Sequence, residues 1–325
     1  MNDEFPTLPA EVETCVIGSG LGGLSIAAAL DEAGADYLVL DKGRTPGGRA
    51  ATRRFADSRF DHGLPFVTDK GPLTRAMIER GEGAGLLRRM DRFDGHDDGW
   101  FSPAGISALG KHMAAGLRIR NQARVTSIEA DGTGLTLKIE TGEERVEVRI
   151  RTNLIVTAPL PQAIELLAPL APDWNLPGAS PYDEAVVAMV RVDPSRLSEG
   201  PAHQLLTGGN GILVRDYLKF ADVEPGVSLR FSPALSRSLF DREEEEIVAA
   251  VRAELETMTG PLDPAMVQVM RWRYANGAGT IMEPFLETTV AGVRIRVCGD
   301  SFLAGQADGT EASLASCRAA LDSLS

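Results

Sequence analysis

CVIGSGLGGLSIAAALDEAGADYLVLDKGRTPGGRA, residues 15–50, decides the fold. The apolar run at residues 12–17 reads as a short buried strand. Gly18, Gly20 and Gly23 then give G-x-G-x-x-G, and an Ala/Leu-rich stretch from about Leu21 to Ala33 reads as a helix that Gly34 ends. DYLVLD forms a second strand. In such a strand–turn–helix the first glycine permits the tight turn and the second lets a pyrophosphate approach the backbone. The third lets the helix pack on the strand, with the positive helix end facing the phosphates. Asp41 ends the second strand about twenty residues on, where a carboxylate can take ribose hydroxyls, and Lys42 follows it. This is the pattern of a dinucleotide site.

The end of the same stretch asks for more than a nicotinamide dinucleotide. Gly47 and Gly48 let backbone amides close on an anion, and Arg49 adds a forked positive charge. Far along the chain, VCGD puts Gly299 and Asp300 at the end of a last buried strand, and Gly309 opens a last helix. A strand-end Asp can bind a ribityl hydroxyl. A positive helix end suits a ring that gains negative charge on reduction, as flavin does and nicotinamide does not. These features favour FAD over NAD.

Between these ends the texture changes. Residues 107–116 read as a helix. ARVTSI, LTLKIE and VEVRIR alternate apolar and polar residues between turns, which predicts a small antiparallel sheet. NLIVTAP is an unalternating buried strand. Residues 160–290 mix strand-like runs with one amphipathic helix, whose Ile247, Val248, Val251, Leu255 and Met258 share a face. A nucleotide-binding start whose closing strand and helix lie at the C-terminus implies an interrupted domain. The expected fold is α/β, with a doubly wound FAD-binding Rossmann-type domain at residues 1–65, 104–160 and 287–325. A mixed-sheet α+β substrate domain is inserted at residues 66–103 and 161–286.

The net charge of −13 over 325 residues argues against nucleic acid and against an anionic membrane surface as partners. No run approaches the roughly 20 apolar residues of a membrane span. The acidic, proline-bearing start MNDEFPTLPAEVE lacks the features of a signal peptide, so a cytoplasmic location is expected. Arg44, Arg49, Arg53, Arg54 and Arg59 crowd one stretch, as a phosphate partner or a salt-bridged surface would require. Cys15, Cys298 and Cys317 have no metal or disulfide spacing, and Cys15 and Cys298 are expected as buried thiols. His62, His96, His112 and His203 show no ligand spacing, so no metal is expected. His62 lies in a motif, as a structural ring or as an acid or base.

Six segments carry a wider resemblance: VIGSGLGGLSIAAAL, LDKGRTPGGRAATRR, FDHG, IVTAPLPQA, RWRYA and VCGDSFLAGQADGTEASLAS. They span nearly the whole chain, which resembles the flavin-containing amine oxidoreductase superfamily and, through GGRAATRR and RWRYA, its bacterial renalases. The resemblance implies FAD, two domains, a small-molecule substrate and reoxidation by molecular oxygen to hydrogen peroxide. In renalases the substrates are the 2- and 6-dihydro isomers of NAD(P). It also implies FAD contacts at Gly18, Gly20, Gly23, Asp41, Gly48, Arg49, Gly299, Asp300 and Gly309, at the Val125 backbone, and at Thr157 and Ala158. Arg271, Trp272 and Tyr274 match the run beside the flavin face, with Phe66 and Trp100 as further wall candidates.

The chain departs from renalases at Gly63-Leu64-Pro65-Phe66, where they commonly have Gly-Ala-Gln-Tyr. It departs again at Met270, where bacterial members tend to have His. Both changes make the expected pocket more apolar and leave the substrate open. Hydride transfer from a dihydropyridine is driven by aromatisation and needs no base, so no catalytic side chain is assigned. Two other readings stand beside the oxidase: an amine oxidase or desaturase acting on an apolar substrate, and a non-catalytic FAD-binding protein. Oligomeric state is not legible in the sequence.

Overall fold

A computed structural model describes residues 7–90, 98–172, 174, 182–197, 199–277, 279, 281–307 and 309–324. His96 and the first six residues lie outside them. The chain divides into two compact units: Met1–Gly48, Gly110–Pro181 and Gly277–Ser325 form one, Arg49–Leu109 and Tyr182–Asn276 the other. The divisions fall after residues 48, 109, 181 and 276, and not after 65, 103, 160 and 286 as the sequence pattern suggests. The first shift arises because Arg53–Phe55 and Ser58–Phe60 form a hairpin of the second unit, where Ser58 Oγ donates to Pro225 O at 3.4 Å. The third arises because the helix Leu160–Leu167 packs back on the strand Ala123–Ala130 of the first.

The first unit is built on an eight-stranded sheet. Its spine runs Leu286–Val290, Val293–Val297, Glu144–Val156, Glu11–Ile17, Tyr37–Leu40 and Ile119–Arg120. All neighbours on that path pair in parallel except Leu286–Val290 with Val293–Val297. Unalternating apolar runs suit strands covered on both faces. Val16, Val39 and Ile155 accordingly join Ile26, Cys298 and Cys317 in one core. The helices Leu21–Glu32 and Gly309–Asp322 pack closely, since a Cβ on Gly22 would lie 2.6 Å from Cys317 Sγ.

The strand Glu144–Val156 has two partners. Its first half closes an antiparallel meander with Leu135–Thr141 and Ala123–Ala130, and its second half enters the parallel spine. Leu135, Leu137 and Ile139 are buried, as alternation requires. The helix expected at residues 107–116 covers Ser107–Met113, and the turn behind it ends in Gly116 at φ +80°.

The second unit holds a five-stranded sheet in the order His203–Leu205, Gly211–Val214, Gly226–Phe231, Tyr182–Arg191, Val267–Gly277. Period-two alternation splits its two faces. Val186, Ala188, Val190, Leu213 and Leu229 meet Ile247, Val251 and Leu255 of the helix Glu244–Thr259. Ala185 and Val187 face the other way, with Ala275 and Trp272. Among the described residues no helix is long and apolar enough to cross a membrane.

The helix–sheet core fixes the second unit's stability. Leu255→Ala empties a fully buried position and is expected to cost about 2–5 kcal/mol in urea unfolding. Glu244→Gln, in the helix's first turn, is expected to cost about 0.3–1 kcal/mol through the helix dipole.

Candidate functional site

In the first unit, the glycine turn is shaped by what its residues lack. Gly18 takes φ +112°, a region that favours glycine. A Cβ on Gly23 would stand 2.0 Å from Gly18 O, so only glycine lets the helix start this close to the turn. Gly20 differs: a Cβ there meets nothing within 4 Å. Its φ of −65° suits any residue, and it caps the helix Leu21–Glu32 without a side-chain hydrogen bond. The backbone at Gly20 therefore borders open space at a positive helix end, which is the cradle a pyrophosphate needs.

Side chains brace this turn. Thr157 Oγ1 donates towards Gly18 O at 3.1 Å and Thr157 N donates to Ile17 O at 2.8 Å. Ala158 follows, its nitrogen 3.5 Å from the position of a Gly18 Cβ. Ser19 is fully buried, and its N–H and hydroxyl both donate to Asp41 Oδ2, at 2.6 and 2.9 Å. Gly43 N donates to Asp41 Oδ1 at 2.6 Å. An ionised carboxylate accepts about four hydrogen bonds, so Asp41 is fixed in place and keeps capacity for a ribose hydroxyl. Lys42 is exposed and bonds Gln162 Oε1 at 3.0 Å.

The double glycine lies against the same turn. Gly47 and Gly48 have φ +113° and +57°. Gly47 N donates to Ser19 O at 2.8 Å, and a Cβ on Gly48 would sit 3.1 Å from Gly20 Cα. Gly299 has φ +146°, and its N–H donates to Ser316 Oγ at 3.0 Å. Asp300 is buried and accepts Gly277 N at 2.9 Å. Gly309 opens the last helix at φ +52°. Val125 sits at a bulge, where the register against Leu135–Thr141 shifts. Sequence reasoning missed Ser19 and Ser316. The only signal for the first was a small hydroxyl between two motif glycines.

In the second unit, Trp272 and His62 stack with centroids 5.4 Å apart and planes at 18°. Trp272 Nε1 donates to His62 O at 3.0 Å. Tyr274 meets Tyr182 edge-on at 5.5 Å. Burial, then the charges of Arg53 and Arg230, lower the His62 pKa to about 4. The ring is thus neutral at ordinary pH, and among the described residues its Nδ1 has no hydrogen-bond partner. Arg49 belongs to this unit, where its Nη1 donates to Ala275 O at 2.9 Å and towards Tyr274 O at 3.5 Å.

Three wall candidates, Arg271, Phe66 and Trp100, have other partners. Arg271 bonds Arg242 O at 3.0 Å, and Arg273 lies over Phe240 on the same side. Strand alternation therefore turns Arg271 away from its neighbour Trp272. Phe66 is 3% exposed, in a cluster with Met90, Phe101, Ala202 and Val214. It is a core aromatic because the turn before it faces inward. Trp100 bonds Glu82 at 2.9 Å, on another small sheet. Among the described residues no group of three or more His, Cys, Asp or Glu could hold a metal ion. All three cysteines are free and buried.

Comparisons with known proteins bear on the family and the fold. Residues 16–80 match an NAD(P)-binding Rossmann-like domain, and residues 81–320 match the family described as flavin containing amine oxidoreductase. A phytoene desaturase of Cercospora nicotianae is 36% identical over 89 residues, 26% of this chain and 14% of that protein. A lycopene-forming phytoene desaturase of Pantoea ananas is 43% identical over 69 residues, 21% of this chain and 14% of that protein. The matched stretch thus spans about a seventh of either desaturase. The structure of a putrescine oxidase bound to putrescine superposes with a TM-score of 0.67 at 13% identity, covering 97% of this chain and 99% of that one. At that identity the likeness is one of fold.

Two outcomes follow from the site's geometry. Gly20→Ala is expected to leave urea stability of the apoprotein unchanged and to weaken FAD binding at least about tenfold, about 1.4 kcal/mol, in a flavin fluorescence titration. Gly23→Ala is expected to damage folding itself. The second outcome concerns pH. Between about 6.5 and about 4 the unfolded chain protonates His62 and the folded chain does not. Folding therefore weakens as pH falls through that window, by on the order of 3 kcal/mol in all. His62→Asn is expected to remove that part of the slope in urea unfolding followed from pH 7.5 to 4.5.

Proposed function

The chain belongs to the flavin-containing amine oxidoreductase family, a family of FAD-dependent oxidoreductases, and from this premise we propose that it oxidises a dihydronicotinamide-type ring with oxygen as acceptor. One observation carries the reading. The stacked His62–Trp272 pair is flat and uncharged, and Arg53 and Arg230 are the cations that help keep His62 neutral. A positive setting of this kind repels a protonated amine. It suits a neutral ring borne on a phosphate tail.

FAD held by the first unit would supply the two-electron acceptor for the ring and the donor to oxygen. The balance is dihydronicotinamide, oxygen and one proton in, oxidised nicotinamide and hydrogen peroxide out. The chain's own part is binding and orientation. The glycine turn, Asp41 and Asp300 are proposed to hold the dinucleotide, with Lys42, Gly48, Arg49, Val125, Thr157, Ala158, Gly299 and Gly309 along it. Trp272 and His62 offer the substrate a dry, flat face, with Tyr274 beside them. Aromatisation of the ring drives the C–H cleavage, so no side chain has to remove a proton. A histidine that titrates near 4 does not supply one at neutral pH.

A second reading keeps the family and changes the substrate to an amine or a polyene. The names of the phytoene desaturases and of the putrescine oxidase favour it, as do the half-buried Leu64 and Met270. Phe66 does not add to it, being part of the core.

Anaerobic mixing of the yellow protein with 2- and 6-dihydro NAD isomers tests the proposal. The flavin band is expected to bleach, and to recover with release of peroxide when air enters. A flavin that dithionite reduces and these isomers do not would overturn the proposal. Bleaching by putrescine or phytoene would then support the second reading.

A further inference from the structure

We propose that Lys219 is a positioning residue for this reaction: it locks the turn from Asp61 to Phe66 in the shape that lays the His62 ring on Trp272. The inference rests on the substrate reading above. Lys219 Nζ donates to Asp61 Oδ2 at 2.9 Å and to Pro65 O at 3.3 Å, so it grips the turn at both ends. A third contact reaches Asp216 Oδ1 at 2.7 Å. The side chains of Lys219, Asp61 and Asp216 are 0% exposed.

Each carboxylate is held in turn. Asp61 Oδ1 accepts Thr52 Oγ1 at 2.6 Å and Ile106 N at 2.9 Å. Asp216 accepts Ser228 Oγ at 2.5 Å and the Asp61 N–H at 3.5 Å. The ammonium lies 5.1 Å from the Phe66 ring centre and 5.0 Å from that of Phe220. Between the two grips, Arg230 Nη2 donates to the carbonyls of His62 and Gly63, and Trp272 Nε1 donates to His62 O. The turn is therefore tied at Asp61, His62, Gly63 and Pro65.

Two carboxylates and one ammonium are a poor way to gain stability. An apolar trio of similar volume often holds a core as well or better. Burial works against the Lys219 ammonium, but Asp216 and Asp61 outweigh it and raise its pKa. Burial likewise raises the Asp216 carboxyl. What the cluster adds is geometric. Its donors and acceptors pair in one arrangement, and that arrangement ends at the His62 ring.

The test uses full-length, FAD-bound protein labelled with 15N-histidine. Lys219→Met cuts both grips but leaves two buried carboxylates. The neutral triple variant D61N/D216N/K219M cuts them without a buried charge and keeps an acceptor for Thr52 and Ile106. Leu255→Ala, which empties the core between the helix and the sheet, serves as a destabilised control. In the wild type, with Arg53 and Arg230 facing it, His62 is expected to stay neutral down towards pH 4. In the triple variant it is expected to titrate near its ordinary value of about 6.5. The KM for the dihydro NAD isomers is expected to rise about tenfold, with kcat changed less than about threefold. The control should move neither. A folded triple variant whose His62 still titrates near the wild-type value, with unchanged KM, overturns the proposal, whether or not Lys219→Met folds. Should the isomers fail to reduce the wild-type flavin, the substrate reading falls. The histidine titration then decides the role of Lys219 alone, release supporting it and retention overturning it.

Discussion

A missing side chain at residue 23 is the constraint from which the first unit follows. A Cβ there would lie 2.0 Å from Gly18 O, so the helix backbone can sit directly on the turn. That contact fixes where the helix begins, and hence where its positive end points. Everything else at the cradle is set against the same turn. Thr157 reaches Gly18 O, Gly47 N–H reaches Ser19 O, and Ser19 holds Asp41 by two bonds. Residues from three stretches, 18–23, 41–47 and 157, are referred to one backbone contact. An alanine at residue 23 would shift all of them, whereas an alanine at residue 20 would leave them standing and fill the space they surround.

The second unit solves a different problem. A turn of polar backbone must lie inside a core, where unpaired carbonyls are costly. Cations pair three of them here. Arg230 is half-buried, and desolvation lowers its pKa to about 10, still far above neutrality. It stays charged and spends that charge on the carbonyls of His62 and Gly63. Lys219 does the same at Pro65. An acidic protein, with a net charge of −13, thus keeps cations beside one aromatic pair.

How far the sequence could be read depended on what kind of signal each feature left. Glycines that need a positive φ or a close approach are visible one residue at a time, so the strand–turn–helix and the α/β class could be read from residues 12–41. Unalternating and alternating runs gave the parallel spine and the meander. The hairpin at Arg53–Phe60 was not legible. Its turn uses Ala56 and Asp57 at φ +47° and +60°, where Asn-Gly would have announced it. That miss displaced a domain boundary. On that strand, Trp272 packs with Ala185 and Val187 whereas Arg271 reaches Arg242 O. Alternation predicts this, but reading RWRYA as one block conceals it. Phe66 has the same composition signal in a core as on a pocket wall, and only packing separates the two. The ion cluster had no signal at all, because Asp61, Asp216 and Lys219 come together through the sheet.

The charges also bear on what such a wall can recognise. A histidine beside a tryptophan could serve as a cation that attracts carboxylates or as a neutral ring that stacks. Burial and two arginines choose the neutral form, holding its pKa at about 4. That choice removes His62 as an acid at neutral pH and gives it a planar, polarisable surface. It also makes the wall's chemistry independent of pH across the physiological range, since the group that would change charge has been moved out of it. On the proposed reading, a substrate is met there by ring shape and by the arginines' field, and that field opposes a substrate carrying its own positive charge. On the proposed reading, charge placement around the wall separates substrates more than Leu64 and Met270 do, because apolar side chains suit a flat ring and a polyene alike.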